Sequence, residues 1–212
     1  SAGSWSEVLN DAGQIQCTIP LYDPVNYALD LFNSATVAKT FLAAVDGDLI
    51  YQAGPIWRHS FNGTDLTLHA AGMWSYLDHR VILPVLAGRL PTDSTTDTRF
   101  SDVVTDPEDP GYPWAVDTRN SLRTIAKRLV EQAQTWTGGD VPIVLPSEES
   151  GTAERWYKGS DLAPLGEKLR QITGVSGGPD IMFTPRWLSD RQGIEWVMRV
   201  GTEADPLLHS GL

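Results

Sequence analysis

The 212-residue chain has a single cysteine, Cys17, four histidines, and only 16 Lys and Arg against 27 Asp and Glu. One thiol can neither close an internal disulfide nor build a cysteine-based zinc site, and it fits a chain made in a reducing compartment. The shortage of bases leaves a net charge of −11. Such a chain repels phosphate backbones and anionic lipid, which argues against stable nucleic-acid or membrane-surface binding. Long apolar runs are also missing. The longest, Val81 to Gly88, falls far short of the ~18–20 residues of a spanning helix. No Lys or Arg precedes Lys39, so the basic start of a secretory signal is not seen. Ser1 stands where a Met would begin a complete chain, so a trimmed or longer parent is expected.

Catalytic and cofactor motifs are equally scarce. There is no phosphate-cradling loop, dinucleotide fingerprint, metalloprotease helix motif or Gly-x-Ser-x-Gly elbow. His59 and His69 fall on opposite faces of the expected hairpin, His79 follows Asp78 with no nucleophile marked nearby, and His209 is isolated. No metal, cofactor or catalytic residue is therefore assigned. The acidic stretch around Asp106, Glu108 and Asp109 lacks EF-hand spacing. Glu148 and Glu149 are neighbours, whereas a glycosidase pair needs two carboxylates facing one bond.

What is present is a globular composition, 41% hydrophobic with 19 Gly and 14 Pro, and an alternation that predicts strands. Ile15, Cys17, Ile19 and Leu21 share one face of a half-buried strand, with Cys17 a small buried hydrophobe. Phe41 to Val45 and Leu49 to Ala53 flank Asp46-Gly47-Asp48 as a hairpin whose register is ambiguous by one residue. Asn62-Gly63 predicts a two-residue turn pairing Phe61 with Thr64, His59 with Leu66 and Trp57 with Leu68. Trp57, His59, Phe61, Leu66, Leu68 and Ala70 then share the apolar face, with Ile56 out of place. Met73 to Asp78 reads as a short helical turn and Val81 to Pro84 as a brief strand.

From Pro91 to Pro113 the chain is rich in Thr, Ser, Asp and Pro without periodicity. It reads as a long, acidic, solvated loop, a boundary and the most mobile segment. Leu122, Ile125, Ala126, Leu129, Val130, Ala133 and Trp136 mark one face of a helix, capped by Asp117 or Thr118 and ended by Gly138-Gly139. Val141 to Leu145 is a short strand. Asp161 is expected to cap a second helix with Pro164 in its first turn, Leu162, Leu165, Leu169 and Ile172 as its stripe, and Gly174 as its stop. Ile181, Phe183 and Trp187, then Ile194, Trp196, Met198 and Val200, alternate on two final strands joined by Ser189 to Gly193. The expected fold class is α+β and β-rich, with a β-barrel-like domain over residues 1–85, an acidic linker at 86–113, an α+β domain at 114–201 and the start of a following segment at 202–212.

Eight tryptophans are the compositional excess. Trp57, Trp136 and Trp196 sit on expected buried faces. Trp5, Trp74, Trp114 and Trp156 lie near loops or turns and are interface candidates. A sugar-stacking surface is the alternative use for such rings.

An ordered set of motifs resembles a known family. It runs from Trp5-Ser6 and Val8-Leu9-Asn10-Asp11-Ala12-Gly13, through Ala53-Gly54-Pro55-Ile56-Trp57 and Leu66-Thr67-Leu68, to Ala71-Gly72-Met73-Trp74-Ser75-Tyr76-Leu77-Asp78-His79-Arg80. Trp156-Tyr157, Ser160-Asp161-Leu162, Gly178-Pro179-Asp180 and Glu195-Trp196-Val197-Met198-Arg199-Val200-Gly201 follow. This order is similar to the minor tail proteins, or tail-tip and baseplate hubs, of long-tailed phages infecting actinobacteria. The resemblance implies a non-enzymatic homotrimeric hub closing the distal end of the tail tube, made in the host cytoplasm and carried in the virion. Its implied partners are a distal tail protein ring, the tape-measure protein, and downstream tail-tip or receptor-binding proteins. It also implies a tube domain of β-barrel type with a smaller α+β domain inserted before a second barrel, which is expected in a longer parent beyond Asp205-Pro206-Leu207-Leu208. A tail-associated cell-wall hydrolase and a carbohydrate-binding module are the alternative functions.

Overall fold

The computed structural model describes residues 2–82, 103–105, 113–135, 139–158, 161–201 and 206–207. The architecture is mixed α and β with strands dominating, 39% strand to 25% helix, and includes a sheet curled into a half-barrel. The chain divides into two compact units. One comprises residues 1–76, 142–144 and 181–199, and the other residues 77–141, 145–180 and 200–212. Among the described residues no helix is long and apolar enough to cross a membrane.

The first unit is built on a five-stranded antiparallel sheet in the order β1-β2-β5-β4-β3. Its strands are β1 (Ala2–Trp5), β2 (Gln14–Pro20), β3 (Phe41–Asp46), β4 (Leu49–Phe61) and β5 (Asp65–Ala71). The alternation in β2 works as expected: Ile15 lies opposite Ala70, Cys17 opposite Leu68 and Ile19 opposite Leu66. Ile15, Ala35, Ile56, Leu66, Leu68 and Ala70 form a buried cluster on that face. Cys17 is only half-buried, less enclosed than its pattern suggested.

Two irregularities settle what alternation left open. In the β3–β4 hairpin the register shifts at a bulge, so Ala44 pairs with Gln52 while Val45 pairs with Ile50. The one-residue ambiguity is real, and each register holds on one side of the bulge. In the β4–β5 hairpin the turn is longer than expected, because Phe61 pairs with Leu66 and His59 with Leu68. Asn62 Oδ1 accepts the amides of Thr64 at 3.0 Å and Asp65 at 2.8 Å, and this side-chain turn extends the loop beyond Asn62-Gly63. The slip is by two residues, so the faces are preserved. A second bulge lies between Ile56 and Arg58, and beyond it Ile56 pairs with Ala70. Ile56, out of place in the unbroken alternation, therefore enters the core. Trp57 leaves it, correcting its expected burial.

After β2 the chain forms two short helices, α1 (Pro24–Ala28) and α2 (Leu31–Ser34). Alternation did not announce either. Asp23 caps α1 through the Val25 amide at 2.9 Å, with Pro24 in the first turn. The sheet leads at Gly72 into α3 (Met73–Asp78), as expected. A three-stranded sheet completes this unit in the order β10-β11-β8, from β8 (Ile143–Val144), β10 (Ile181–Trp187) and β11 (Ile194–Val200). It is joined to the larger sheet by Trp196 Nε1 donating to the Ala53 carbonyl at 3.1 Å, and by Ile181 N donating to Asn10 Oδ1 at 2.7 Å.

The second unit holds a three-stranded sheet, β6-β7-β9, and two helices. β6 (Val103–Thr105) and β7 (Pro113–Asn120) correct the expectation of an unbroken loop to Pro113. The acidic residues 93–102 and 106–109 lie outside the described residues. β9 (Ser150–Lys158) pairs with β7. α4 (Leu122–Thr135) buries Ile125, Ala126, Leu129, Val130 and Ala133, as its periodicity predicts. Its cap is Ser121, whose Oγ accepts the Thr124 amide at 3.1 Å, and not Asp117 or Thr118, which β7 takes up. Trp136 and Gly138 fall outside the described residues. α5 (Leu165–Thr173) buries Leu165, Leu169 and Ile172 and ends at Gly174. Pro164 stands at its cap position without a side-chain bond. Asp161 is therefore no cap, and Leu162 is exposed rather than part of the stripe, with φ +44°. Val81 makes a lone bridge to Pro164, and residues 83 and 84 of the expected strand lie outside the described residues.

Candidate functional site

Across the first unit's sheet, register aligns Ser4 with Gln16, Gln16 with His69, and His69 with Arg58. These four stand on the face opposite the buried cluster. The next row carries Thr18 and Thr67, whose hydroxyls meet at 3.2 Å. A groove of about 410 Å³ opens along the first row, lined by Trp5, Gln16, Trp57, Arg58 and His69 among others. None of its lining residues is acidic.

Each wall has a structural origin. The β4 bulge that brought Ile56 inward turns Trp57 toward the groove, and its Nε1 donates to Ser75 Oγ at 2.7 Å. Ser75 Oγ in turn donates to the Gly72 carbonyl at 2.7 Å, so the indole is held from the start of α3. Trp5, 47% exposed, stacks on Tyr51 with centroids 5.0 Å apart. Arg58 Nη2 donates to His69 Nε2 at 3.3 Å. The groove thus combines two indoles, one guanidinium and amide side chains. With the His69 imidazole and the Ser4 and Ser6 hydroxyls also lining it, that set can bind and orient a partner.

A second feature lies on the opposite face. α1 and α2 bury none of their residues. Tyr22 is 75% and Tyr27 77% exposed, with Val25, Leu29 and Phe32 exposed beside them. The arm is pinned at each end. Asn26 Nδ2 donates to the Pro20 carbonyl at 2.9 Å, Ala35 is buried, and Phe32 packs against His59 and Phe61 at 5.8 and 5.7 Å. Exposed aromatics in one segment are the mark of a contact surface.

The sequence-derived candidates are dispersed. Trp5 borders the groove. Trp74 is 2% exposed and meets the Phe183 ring edge-on at 6.0 Å, so it is a core residue with no surface to offer and is withdrawn as an interface candidate. Trp114 lies opposite Lys158, and Trp156 opposite Val116, in the β7–β9 ladder of the second unit. The Tyr22–Phe32 arm was missed. Its sequence signal is seven large apolar residues between Pro20 and Ala35, of which Tyr22, Val25, Leu29 and Phe32 recur at helical spacing.

The other chemical candidates are occupied by structural bonds. Glu148 accepts from Lys127 Nζ at 2.8 Å and from Arg128 Nη2 at 3.0 Å. Hydrogen bonds from Arg128, then Lys127, hold its pKa down from 4.5 to about 2, so it is a fixed anion and cannot be a general acid near neutrality. Asp78 gives both carboxylate oxygens to Arg170, at 2.6 and 2.9 Å. Among the described residues no three His, Cys, Asp or Glu are grouped to hold a metal. The chain matches no protein-family model and no curated protein.

Proposed function

We propose that this chain is a structural component of a phage tail tip, part of the hub that closes the distal end of the tail tube. The observation that carries the reading is the first unit's curled half-barrel sheet, with an apolar arm exposed on one face. Among the described residues each outer strand, β1 and β3, has one strand partner. Open strand edges and uncovered aromatics are satisfied when copies close into a ring. The ordered motifs that resemble tail hubs point the same way.

In this reading three copies form a β-barrel-like tube segment below a distal tail protein ring, contact the tape-measure protein, and hold receptor-binding or penetration parts beneath. The chain is made in the host cytoplasm and ends in the virion. The test is a reconstruction of the particle together with the gene's neighbourhood. Three copies at the tail's distal end and a preceding tape-measure gene are expected, whereas one or six copies per tail, or flanking genes unrelated to tails, overturn it. Turnover of cell-wall material, abolished by one carboxylate substitution, would instead make it a hydrolase. Glycan binding lost on substituting Trp114 or Trp156 would make it a carbohydrate-binding module.

A further inference from the structure

We propose that the arm of α1 and α2 docks, head to tail, into the acid-free groove of a second copy of this chain. The inference rests on the assembly reading above and names the two surfaces through which copies meet.

Three observations converge on a second copy as the occupant. The first is exposure: Tyr22, Val25, Tyr27, Leu29 and Phe32 all lie open to solvent, while Leu31 alone of the large apolar side chains on these helices packs against the core. The second is charge. Residues 21–38 hold only two charged side chains, Asp23 and Asp30, both acidic. The groove holds Arg58 and no acid, in a chain where acids outnumber bases 27 to 16. Most of this surface repels an acidic segment, and the groove attracts one. The third is placement. The arm is held on the sheet face that carries Leu66 and Leu68, through Ala35 and the Phe32, His59 and Phe61 rings. The groove follows Ser4, Gln16, His69 and Arg58 on the other face. An arm pinned on one face cannot fill the groove of its own sheet, so the contact runs between copies.

Chemistry at the contact is complementary. The half-buried Trp57 offers its indole to Tyr22 and Tyr27, Trp5 borders the groove while stacked on Tyr51, and the Gln14 and Gln16 amides can bond the phenol hydroxyls. Because donor and acceptor patches differ, the contact is heterologous and propagates from copy to copy, closing into a ring where the rotation between copies permits.

The test uses two variants of the whole chain. Arg58→Glu spoils the groove and leaves the arm; Tyr22→Ser with Tyr27→Ser spoils the arm and leaves the groove. All three side chains are exposed, and unchanged melting curves confirm the folds. Sedimentation of the wild type should show mass rising with concentration up to about 1 mM, with each variant associating at least about tenfold more weakly. Mixing the variants should then give a one-to-one dimer that grows no further, since each supplies the one surface the other lacks. A wild type that stays monomeric over this range overturns the pairing, as does a mixture without dimers. If the wild type associates and Arg58→Glu changes nothing, copies meet elsewhere, and the arm–groove contact fails while the assembly reading stands.

Discussion

Replacing Gly166 by Ala is ordinarily a stabilising change inside a helix, worth about 1 kcal/mol from backbone propensity. Here the sign should reverse. Gly166 is the second residue of α5 and is buried, and a methyl group there would collide with Asp78 Oδ1 and lie 2.9 Å from Asp78 Cγ. A free carboxylate could swing away at small cost. This one is clamped by Arg170, four residues further along the same helix, with both oxygens bound at 2.6 and 2.9 Å. Moving it breaks a bidentate, charge-assisted pair worth about 2–3 kcal/mol when well enclosed. The two side chains are 30% and 35% exposed, so solvent screening reduces that to roughly 1.5 kcal/mol. The Asp78 amide nitrogen, 3.1 Å from the new methyl, cannot swing away and adds about 1 kcal/mol of overpacking. Against the propensity gain, the net is a loss of about 1–2 kcal/mol, or about 3–6 °C in Tm for a chain of this size.

The assay is urea and thermal unfolding of Gly166→Ala, Asp78→Ala and the double variant. With Asp78 cut to Ala, the oxygen and carbon that the methyl meets are gone, and Gly166→Ala should then be neutral or stabilising. A coupling of at least about 1 kcal/mol between the two sites is expected. Gly166→Ala that raises Tm in the wild-type background would refute the reasoning, because it would mean that Asp78 yields without loss.

Lowering the pH tests the Glu148 cluster. A carboxylate whose folded pKa is depressed from 4.5 to about 2 adds stability in full above pH 4.5, and loses it as the pH falls through 2. At 37% exposure the gain is about 1 kcal/mol after screening, so urea midpoints of wild type and Glu148→Gln should differ at pH 7 and converge near pH 2. Ser121→Ala should cost about 1 kcal/mol in urea unfolding through loss of the α4 cap at the Thr124 amide. Burial pushes the Cys17 thiol up, so alkylation monitored by mass spectrometry should be slower than for a free thiol at pH 8 and accelerate in urea. On the proposed hub reading, an assembly of chains each carrying net charge −11 should show no duplex DNA binding even at low salt; tight binding that weakens steeply with added salt would refute an acidic lumen.

The legible parts of the fold were those where one face is buried and the chain is regular. β2, α4, α5 and the final two strands all follow their apolar spacing, because a period of 2 or 3.6 is a direct consequence of packing one side. Helix caps were harder. Ser121 caps as well as Asp and better than Thr, so capping preference alone does not choose among Asp117, Thr118 and Ser121, and nothing local shows that β7 runs on to Asn120. Sheet membership was harder still. β8 pairs in parallel with β11, with Trp196 opposite Ile143, across about 50 residues of chain. Local periodicity cannot report a pairing at that distance.

The candidate site was illegible for a related reason. Its groove exists because one bulge exchanges Ile56 for Trp57, and a bulge inserts a residue that any strict alternation must misassign. The sequence did carry the symptom, since Ile56 alone broke the pattern of its hairpin. An isoleucine on the polar face and a tryptophan, rimmed by arginine, on the apolar one is an arrangement that a one-residue shift improves on both sides. The arm shows the converse limit. Tyr22, Val25, Tyr27, Leu29 and Phe32 would read as core in any composition count, and only their accessibility separates them from it. Hydrophobicity states that a side chain seeks cover. Whether the cover comes from the same chain or from a partner depends on where the rest of the fold has placed its own apolar faces. Here that face is closed by Leu66, Leu68 and Ile56 together with the arm's own Leu21, Leu31 and Ala35, which leaves its remaining large side chains on the outside.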